Sequence, residues 1–255
     1  MPQLLTGKRV LLTGTGRGQG EVIQSTFASM GASVVGCDIA PGAAEASADA
    51  VVKAGFRAWG KTVDLGDPAA AAEWVNWGVQ QLGGIDVLFN NASRPVMEPF
   101  DKITVQGWQD TIRNELDLVF YVTVAAWPHL AKSPSASVIT TASASGKLGW
   151  GSVGQTAHSA AKAGVIGFTK QLASEGGRIG IRANTISPGY IKGPGTAGTI
   201  STETEDYIRK TLQLDPRPLT AEDIAMTAAF LASDLSRGIT GEDIAVDAGW
   251  AAGRP

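Results

Sequence analysis

The stretch RVLLTGTGRGQG, residues 9–20, joins a short run of branched apolar residues to a glycine-rich turn. The run predicts a buried β-strand, and the apolar spacing after it predicts a helix. Gly14, Gly18 and Gly20 are spaced so that the backbone turns tightly and approaches a pyrophosphate at the helix N-terminus. The stretch therefore predicts a dinucleotide-binding turn between the first strand and the first helix.

The second strand ends in an acidic residue, Asp38, within VVGCDI. A carboxylate here accepts hydrogen bonds from both ribose hydroxyls of an adenosine and repels a 2′-phosphate. Arg17, in the glycine turn, favours the opposite preference, because a cation there pairs with that phosphate. We give Asp38 the greater weight, since repulsion beside the ribose is hard to offset elsewhere, and the sequence favours NAD over NADP.

Short strand-like runs alternate with longer segments of helical spacing along the chain. The strand-like runs are residues 9–13, 33–38, 86–90, 137–141, 181–187 and 243–247, and the clearest helical segments are 69–82, 105–130 and 157–174. Asp67 before Pro68, and Thr220 with Asp223, indicate helix starts. The alternation predicts one α/β domain over residues 1–255 with a parallel sheet and right-handed crossovers. Glycine, proline and threonine crowd a loop that predicts a substrate lid at about 189–212.

Composition excludes several classes of protein. The 255 residues are 44% hydrophobic with a net charge of −3, and no block of lysine or arginine offers a surface for nucleic acid or an anionic membrane. Cys37 is the only cysteine, so no internal disulfide or CxxC metal motif forms, and no metal site is predicted. The N-terminal residues lack a signal peptide and no apolar run spans a bilayer, so we expect a soluble, cytoplasmic protein.

Seven motifs resemble those of the short-chain dehydrogenase/reductase family, in the same order and over nearly the whole chain. They are TGTGRGQG (13–20), VDLGD (63–67), NNAS (90–93), ITTASASG (139–146), HSAAKAG (158–164), RANTISPG (182–189) and VDAGW (246–250). The resemblance implies a doubly wound Rossmann-type domain with a seven-stranded parallel sheet. It also implies hydride transfer between nicotinamide and a carbinol or carbonyl carbon, and assembly as a homotetramer or homodimer.

Carried over by position, the resemblance implies a set of NAD contacts. They are Gly14, Gly16, Arg17, Gly18, Gln19, Gly20, Asp38, Asp64, Leu65, Asn91, Ala92, Ser93, Lys162, Pro188, Gly189 and Ile191. Asp64 would contact the adenine, Asn91 the ribose side, and Pro188 with Gly189 the nicotinamide. Ser93 stands where the family usually has glycine.

The catalytic positions depart from the family pattern. The family uses an asparagine on the long fourth helix, a serine after the fifth strand and a Tyr-x-x-x-Lys pair; Ser143 and Lys162 match the serine and the lysine. His158 stands at the tyrosine position. Counting back from Pro128 places Glu115 at the asparagine position. Asn114 takes that position only if the register slips by one residue, and is otherwise expected on the helix surface.

An imidazole at position 158 performs the proton transfer of a phenol and titrates near neutrality without help. Its distal nitrogen lies about 2 Å short of a tyrosine oxygen, so a bridging water or a shifted substrate is needed. Lys162, four residues on, disfavours the imidazolium. Glu115 either pairs with Lys162 or orients the histidine ring. We therefore predict Ser143, His158, Lys162 and Glu115 as catalytic residues, although a lone histidine near a helix start is more often a packing residue.

Three residues are candidates for substrate contacts. Ser145 follows the catalytic serine, Trp150 lies in a loop two residues longer than is usual, and Tyr190 lies beside the expected nicotinamide site. Each has an alternative structural role as a turn residue, a core aromatic or a pocket wall.

The sequence thus predicts an NAD-dependent oxidoreductase that interconverts a small secondary alcohol and a ketone. Two alternatives remain open. One is an NAD-binding protein without redox turnover, and the other is a non-redox proton-transfer enzyme that uses Glu115 and His158.

Overall fold

A seven-stranded sheet, with every neighbouring pair parallel, forms the centre of the molecule. The structure is a computed structural model that describes residues 3–151, 153–191, 193, 201–211 and 219–252. The strands are β1 Arg9–Thr13, β2 Ser33–Asp38, β3 Arg57–Thr62, β4 Val87–Asn90, β5 Ser137–Thr141, β6 Arg182–Pro188 and β7 Asp243–Val246. Their order across the sheet is β3-β2-β1-β4-β5-β6-β7, which confirms the predicted doubly wound α/β fold.

Helices cover both faces of the sheet. They are α1 Gly18–Ser29, α2 Ala43–Lys53, α3 Pro68–Leu82, α4 Val105–Ile112, α5 Leu118–Leu130, α6 Thr156–Gly176, α7 Thr202–Thr211 and α8 Ala221–Ala232. The first two pack with α8 against one face, and α3, α5 and α6 cover the other. Among the described residues, no helix is both long enough and apolar enough to span a membrane.

The prediction of one uninterrupted helix over residues 105–130 is wrong in one respect. A π-helical turn, Arg113–Asp117, separates α4 from α5. Such a turn holds one residue more than an α-helical turn, and π-turns occur often at functional sites. Sequence spacing did not indicate it, because apolar residues on either side keep an ordinary helical period.

Each face of the sheet has its own apolar core. Phe27 on α1 packs near Phe89 on β4, with 6.2 Å between ring centroids, and both rings are fully buried. On the opposite face, Trp74 of α3 is buried among residues of α5 and β1. Burying one such side chain contributes about 1.5–3 kcal/mol to the free energy of folding. Because helices are packed in this way on both faces, the two cores hold the strands and their ends in fixed positions.

Two helix starts have the side-chain caps that the sequence predicts. The Asp67 carboxylate accepts hydrogen bonds from the backbone amides of Ala69 at 2.8 Å and Ala70 at 3.2 Å. At the start of α8, the Asp223 carboxylate accepts from the Thr220 amide at 2.8 Å. These caps satisfy amides that have no partner within their helices.

The predicted lid at about 189–212 is described only in part. Ile191 pairs with Leu219 in a parallel bridge, and α7 covers the end of the segment. Residues 192, 194–200 and 212 lie outside the described residues. The lid therefore stays a prediction.

The glycine turn between β1 and α1 requires its glycines. Gly14 and Gly18 have φ values of +74° and +61°, in the left-handed region that glycine adopts without strain. A Cβ on Gly20 would lie 1.8 Å from the carbonyl oxygen of Gly14. The turn thus brings backbone so close to the start of α1 that no side chain fits at Gly20.

We expect Gly20→Ala to destabilise the protein by about 1–3 kcal/mol, because the added methyl group forces backbone atoms apart. Gly167→Ala is the matched control: it lies in α6, and its Cβ would meet nothing within 4 Å. That substitution stabilises a helix interior by up to about 1 kcal/mol. Urea unfolding measures both changes, and equal effects of the two variants would contradict the steric argument.

Candidate active site

A cleft of about 770 Å³ lies at the carboxyl edge of the sheet. Its walls are the segments that follow β1, β2, β3, β4, β5 and β6, together with the first turn of α8. The centre lies where β1 and β4 are neighbours and the strand order reverses. In open parallel sheets, ligands bind at this reversal.

The cleft brings together all but one of the sequence-predicted cofactor residues. They are Gly14, Arg17, Gly18, Gln19, Gly20, Asp38, Asp64, Leu65, Asn91, Ala92, Ser93, Lys162, Pro188, Gly189 and Ile191. Gly16 is not among the lining residues, but its amide donates a hydrogen bond to the Asp38 carboxylate at 2.9 Å. The Ala40 amide donates to the other oxygen of Asp38, also at 2.9 Å. The carboxylate is thereby fixed at the end of β2.

The glycine turn is tied to the segment after β4. The Thr13 hydroxyl accepts hydrogen bonds from the amides of Asn91 and Ala92, each at 2.9 Å. Gln19 donates to the Asn91 side-chain oxygen at 2.7 Å. These contacts hold two walls of the cleft at a fixed separation.

Asp64 forms an ion pair that the sequence did not indicate. Its carboxylate accepts from the Gly66 amide at 2.9 Å and from the Arg113 guanidinium at 2.8 Å. The hydrogen bond from Arg113 is the main cause that holds the Asp64 pKa below its usual range, against a smaller opposing effect of burial. The pair links the start of the π-helical turn to this part of the cleft.

Two predicted catalytic residues, His158 and Lys162, lie one turn apart on α6 and both line the cleft. Glu115, from the π-helical turn, reaches both of them. Its two carboxylate oxygens lie 3.0 and 2.8 Å from His158 Nδ1, and one lies 3.6 Å from Lys162 Nζ. Lys162 Nζ also donates to the Thr141 carbonyl at 3.0 Å. Both predicted roles of Glu115, pairing with the lysine and orienting the ring, are thus compatible with this one geometry.

The Glu115 side chain is 0% exposed, and Lys162 is 3% exposed. Burial raises the pKa of the Glu115 carboxyl, but the Lys162 charge and the His158 and Ser93 hydrogen bonds outweigh it, so the pKa lies below its usual range. Glu115 is not among the cleft-lining residues. The carboxylate therefore acts on a cleft ligand only through its partners.

Ser93 is a contact of Glu115 that sequence reasoning assigned only to cofactor binding. Its hydroxyl donates a hydrogen bond to the Glu115 carboxylate. Glu115 therefore contacts both Ser93 and His158. The sequence did not predict the contact with Ser93, because 22 residues separate it from Glu115 and nothing in the spacing placed the two together.

The contact with Glu115 fixes the orientation of the imidazole. An ionised carboxylate only accepts hydrogen bonds, so Nδ1 of His158 carries the hydrogen that it donates. In the neutral ring, Nε2 is then left as the acceptor. Within the described part of the chain, Nε2 makes no hydrogen bond, and the His158 side chain is 14% exposed. This arrangement presents a basic nitrogen to the cleft.

The expectation that Asn114 lies on the helix surface is wrong. Asn114 is only 6% exposed and lines the cleft, and its side-chain oxygen accepts from Arg113 at 3.1 Å. The π-helical turn explains this, since its wider circumference lets two successive residues, Asn114 and Glu115, both face inward. In an α-helix, only one of these two residues would face inward. The choice between Asn114 and Glu115 at this position is therefore less exclusive than a count of α-helical turns implies.

Ser143, the fourth predicted catalytic residue, lines the cleft at the end of β5. Its hydroxyl accepts a hydrogen bond from the Ser145 amide at 3.1 Å.

The three substrate candidates lie outside the cleft lining. Ser145 donates to Gln155 at 3.1 Å, and Trp150 packs edge-to-face on Trp250 with 4.9 Å between ring centroids. Tyr190 is half-buried next to Gly189. Their contacts with a substrate stay predictions.

The cleft has the features that a nicotinamide dinucleotide requires. The first-turn residues Gly18, Gln19 and Gly20 of α1 line it, and amides of a first helical turn have no intrahelical partner, which suits a pyrophosphate. The Cβ that Gly14 lacks would lie 2.8 Å from Ala92 Cα, so glycine is needed for the turn to pack directly against the segment after β4, which forms another wall of the cleft. The residues present fit the cofactor.

Comparisons with known proteins show which family the chain belongs to. A family model described as enoyl-(acyl carrier protein) reductase matches residues 14–251. The Escherichia coli K12 3-oxoacyl-(acyl-carrier-protein) reductase FabG is 34% identical over 245 residues, covering 95% of this chain and 97% of its own. The meso-2,3-butanediol dehydrogenase of Serratia marcescens is 34% identical over 242 residues, covering 95% and 94%.

A solved structure from Sinorhizobium meliloti 1021, described as a short-chain alcohol dehydrogenase, superposes with a TM-score of 0.89 at 30% identity and covers 99% of each chain. This chain belongs to the short-chain dehydrogenase/reductase family. The members of this family are oxidoreductases that bind a nicotinamide cofactor.

We expect Glu115→Gln to lower the free energy of unfolding by about 3 kcal/mol at neutral pH, because it leaves a buried ammonium group without its counter-charge. Since the pKa of Glu115 is lowered in the folded state, its contribution is complete above the ordinary glutamate value. It is lost as the pH falls through the lowered value. The difference between wild type and variant therefore shrinks in acid.

Urea unfolding at several pH values measures that difference. Glu73→Gln is the control, since Glu73 is exposed on α3 and its substitution changes stability by less than about 0.5 kcal/mol. A difference between wild type and Glu115→Gln that grows in acid would contradict the assigned charge state.

Proposed function

We propose that the protein is an NAD-dependent oxidoreductase that interconverts a small secondary alcohol and a ketone. His158 and Lys162 take the place of the tyrosine–lysine pair that the family resemblance implies. The observation that carries the proposal is the contact of both Glu115 carboxylate oxygens with His158 Nδ1, at 3.0 and 2.8 Å. It orients a basic nitrogen at the wall of a cleft that fits a dinucleotide.

In alcohol oxidation, Nε2 of His158 accepts the hydroxyl proton, and the negative Glu115 carboxylate stabilises the imidazolium that forms. Lys162 is held by the Thr141 carbonyl one helical turn from His158, and its charge balances that of the Glu115 carboxylate. Ser143 holds the substrate oxygen by a hydrogen bond. The bound nicotinamide supplies the acceptor for the hydride from the carbinol carbon. In ketone reduction the same residues return the proton.

The reach of His158 constrains the substrate. An imidazole nitrogen lies about 2 Å nearer the backbone than a phenol oxygen at the same position, so the substrate hydroxyl either sits deeper or transfers its proton through one water. Asn114 lines the same part of the cleft, and its amide is a suitable partner for that water or hydroxyl.

The preference for NAD rests on Asp38. Two backbone amides fix its carboxylate at the end of β2, where it repels a 2′-phosphate. Arg17 also lines the cleft, but it is exposed at the glycine turn, and water screens its charge. The fixed carboxylate therefore outweighs the arginine.

The alternative of a non-redox proton-transfer enzyme that uses Glu115 and His158 has less support. Glu115 is fully buried and does not line the cleft, so it has no direct access to a substrate. The alternative of a dinucleotide-binding protein without turnover has less support, because it gives no role to the His158 ring that Glu115 orients at the wall of the cleft.

The proposal also covers the location, the oligomeric state and the partners of the protein. We place the single domain of residues 1–255 in the cytoplasm, as a homotetramer or homodimer without nucleic-acid or membrane partners. We also retain the prediction of a substrate lid at about 189–212, part of which lies outside the described residues. Each of these features follows from sequence composition or from family resemblance.

We expect His158→Phe to lower the rate of NADH formation from NAD and a panel of secondary alcohols by about 10²–10⁴-fold, because the acid/base group is lost. His129→Gln is the control, since His129 lies near the end of α5 and outside the cleft. Absorbance of reduced nicotinamide measures both rates. A His158→Phe variant with the wild-type rate of NADH formation would exclude His158 as the acid/base. Wild-type protein that binds NAD but forms no NADH would favour the alternative of a binding protein without redox turnover.

We expect Asp38→Asn to shift the preference between NAD and NADP toward NADP by at least about tenfold, because the charge that repels the 2′-phosphate is removed. Asp49→Asn, on the exposed side of α2, serves as the control and leaves the preference unchanged. Calorimetric titration of each variant with both cofactors measures the ratio of dissociation constants. An unchanged ratio in Asp38→Asn would assign the selectivity to other residues.

A further inference from the structure

The catalytic end of the cleft is backed by a buried group of opposite charges. Glu115 and Lys162 are 0% and 3% exposed, with 3.6 Å between their charged atoms. The formal charges of the ionised carboxylate and the ammonium group sum to zero. The residues that the family resemblance implies are asparagine at position 115 and tyrosine at position 158. With them, only the lysine is charged, and the sum is +1. Glu115 therefore lowers the charge behind the cleft by one unit.

One unit of charge matters to a nicotinamide ring, because the oxidised ring is positive and the reduced ring is neutral. The two forms of the cofactor share all other groups. A buried charge near the ring therefore changes the ratio of their affinities, and the low dielectric constant of the interior strengthens the effect.

We propose that the Glu115 carboxylate makes this site selective for the oxidised cofactor, so that NADH is released readily and inhibits alcohol oxidation less. The inference rests on the proposed function, since it requires that the nicotinamide lies beside His158 and Lys162. It goes further in assigning a redox-state preference to the site and a charge-matching role to a residue that no substrate touches.

The surroundings of Glu115 keep that carboxylate ionised. Besides Lys162 and the His158 ring, the Ser93 hydroxyl donates to it. Ser93 is itself exposed to the cleft, so it connects the carboxylate to the surface on which the cofactor lies. Two hydrogen-bond donors and one ammonium charge around a buried carboxylate favour its charged form, and the negative charge persists at neutral pH.

The test is a charge series read by binding alone. Dissociation constants for NAD⁺ and NADH are measured by calorimetry for wild type, Glu115→Gln, Lys162→Met and the double variant. The buried charges of these proteins sum to 0, +1, −1 and 0. We expect Glu115→Gln to shift the affinity ratio about tenfold toward NADH and Lys162→Met to shift it about tenfold toward NAD⁺. The double variant returns close to wild type.

The ratio of the two dissociation constants removes the effect of lost contacts. A hydrogen bond from Lys162 to a cofactor group outside the nicotinamide ring is lost equally for NAD⁺ and NADH. Glu73→Gln is the matched control: it removes a carboxylate at an exposed position of α3 that does not line the cleft, and its ratio stays within about twofold of wild type, because water screens that charge. If Glu115→Gln does not fold, Lys162→Met and the double variant test the same dependence.

Equal ratios across the series would overturn the inference, as would a shift of Lys162→Met toward NADH. Wild type that binds neither form would instead contradict the proposed function itself. Wild type that binds both forms with a charge-dependent ratio, but turns over no alcohol, would support the electrostatic inference and refute the proposed reaction.

Discussion

The ionised carboxylate of Glu115 is the constraint on which the catalytic end of the cleft depends. Moving a charge out of water costs several kcal/mol, so a carboxylate with no exposed surface persists only where its neighbours supply an opposite charge and hydrogen-bond donors. Lys162 on α6 supplies the charge. His158 on α6 and Ser93 in the segment after β4 supply the donors. The orientation of the imidazole, the charge behind the cleft and the burial of the lysine all follow from that one requirement.

Much of the fold was predictable because each crossover unit leaves a local pattern. Runs of branched residues marked six of the seven strands, and the capping residues of α3 and α8 marked two helix starts. The strand β3, RAWGKT at Arg57–Thr62, lacked such a run because it lies at the sheet edge and is half-exposed. Gly60 within it is needed for packing, since a Cβ there would lie 2.0 Å from the Ala44 carbonyl oxygen of α2. Only the family resemblance supplied this seventh strand.

The site was predictable where motifs sit at strand ends, since parallel strands end at one edge of the sheet. That rule is enough to place Asp38, Asn91 and Ser143 around one cleft from their positions in the sequence. The link from Ser93 to Glu115 was not predictable, because it depends on how two distant segments pack. The inward position of Asn114 depends on a change of helical pitch that leaves no mark in apolar spacing. The substrate side lies in loops whose residues follow no motif.

The π-helical turn also bears on how such a site arises in evolution. It holds one residue more than an α-helical turn, so deleting a single codon there would convert it to an α-helical turn and leave α4 and α5 in place. The shortened turn would no longer let both Asn114 and Glu115 face inward, while the sheet and both cores kept their packing. One insertion or deletion in this turn is therefore enough to give a relative a different acid/base set on an unchanged scaffold.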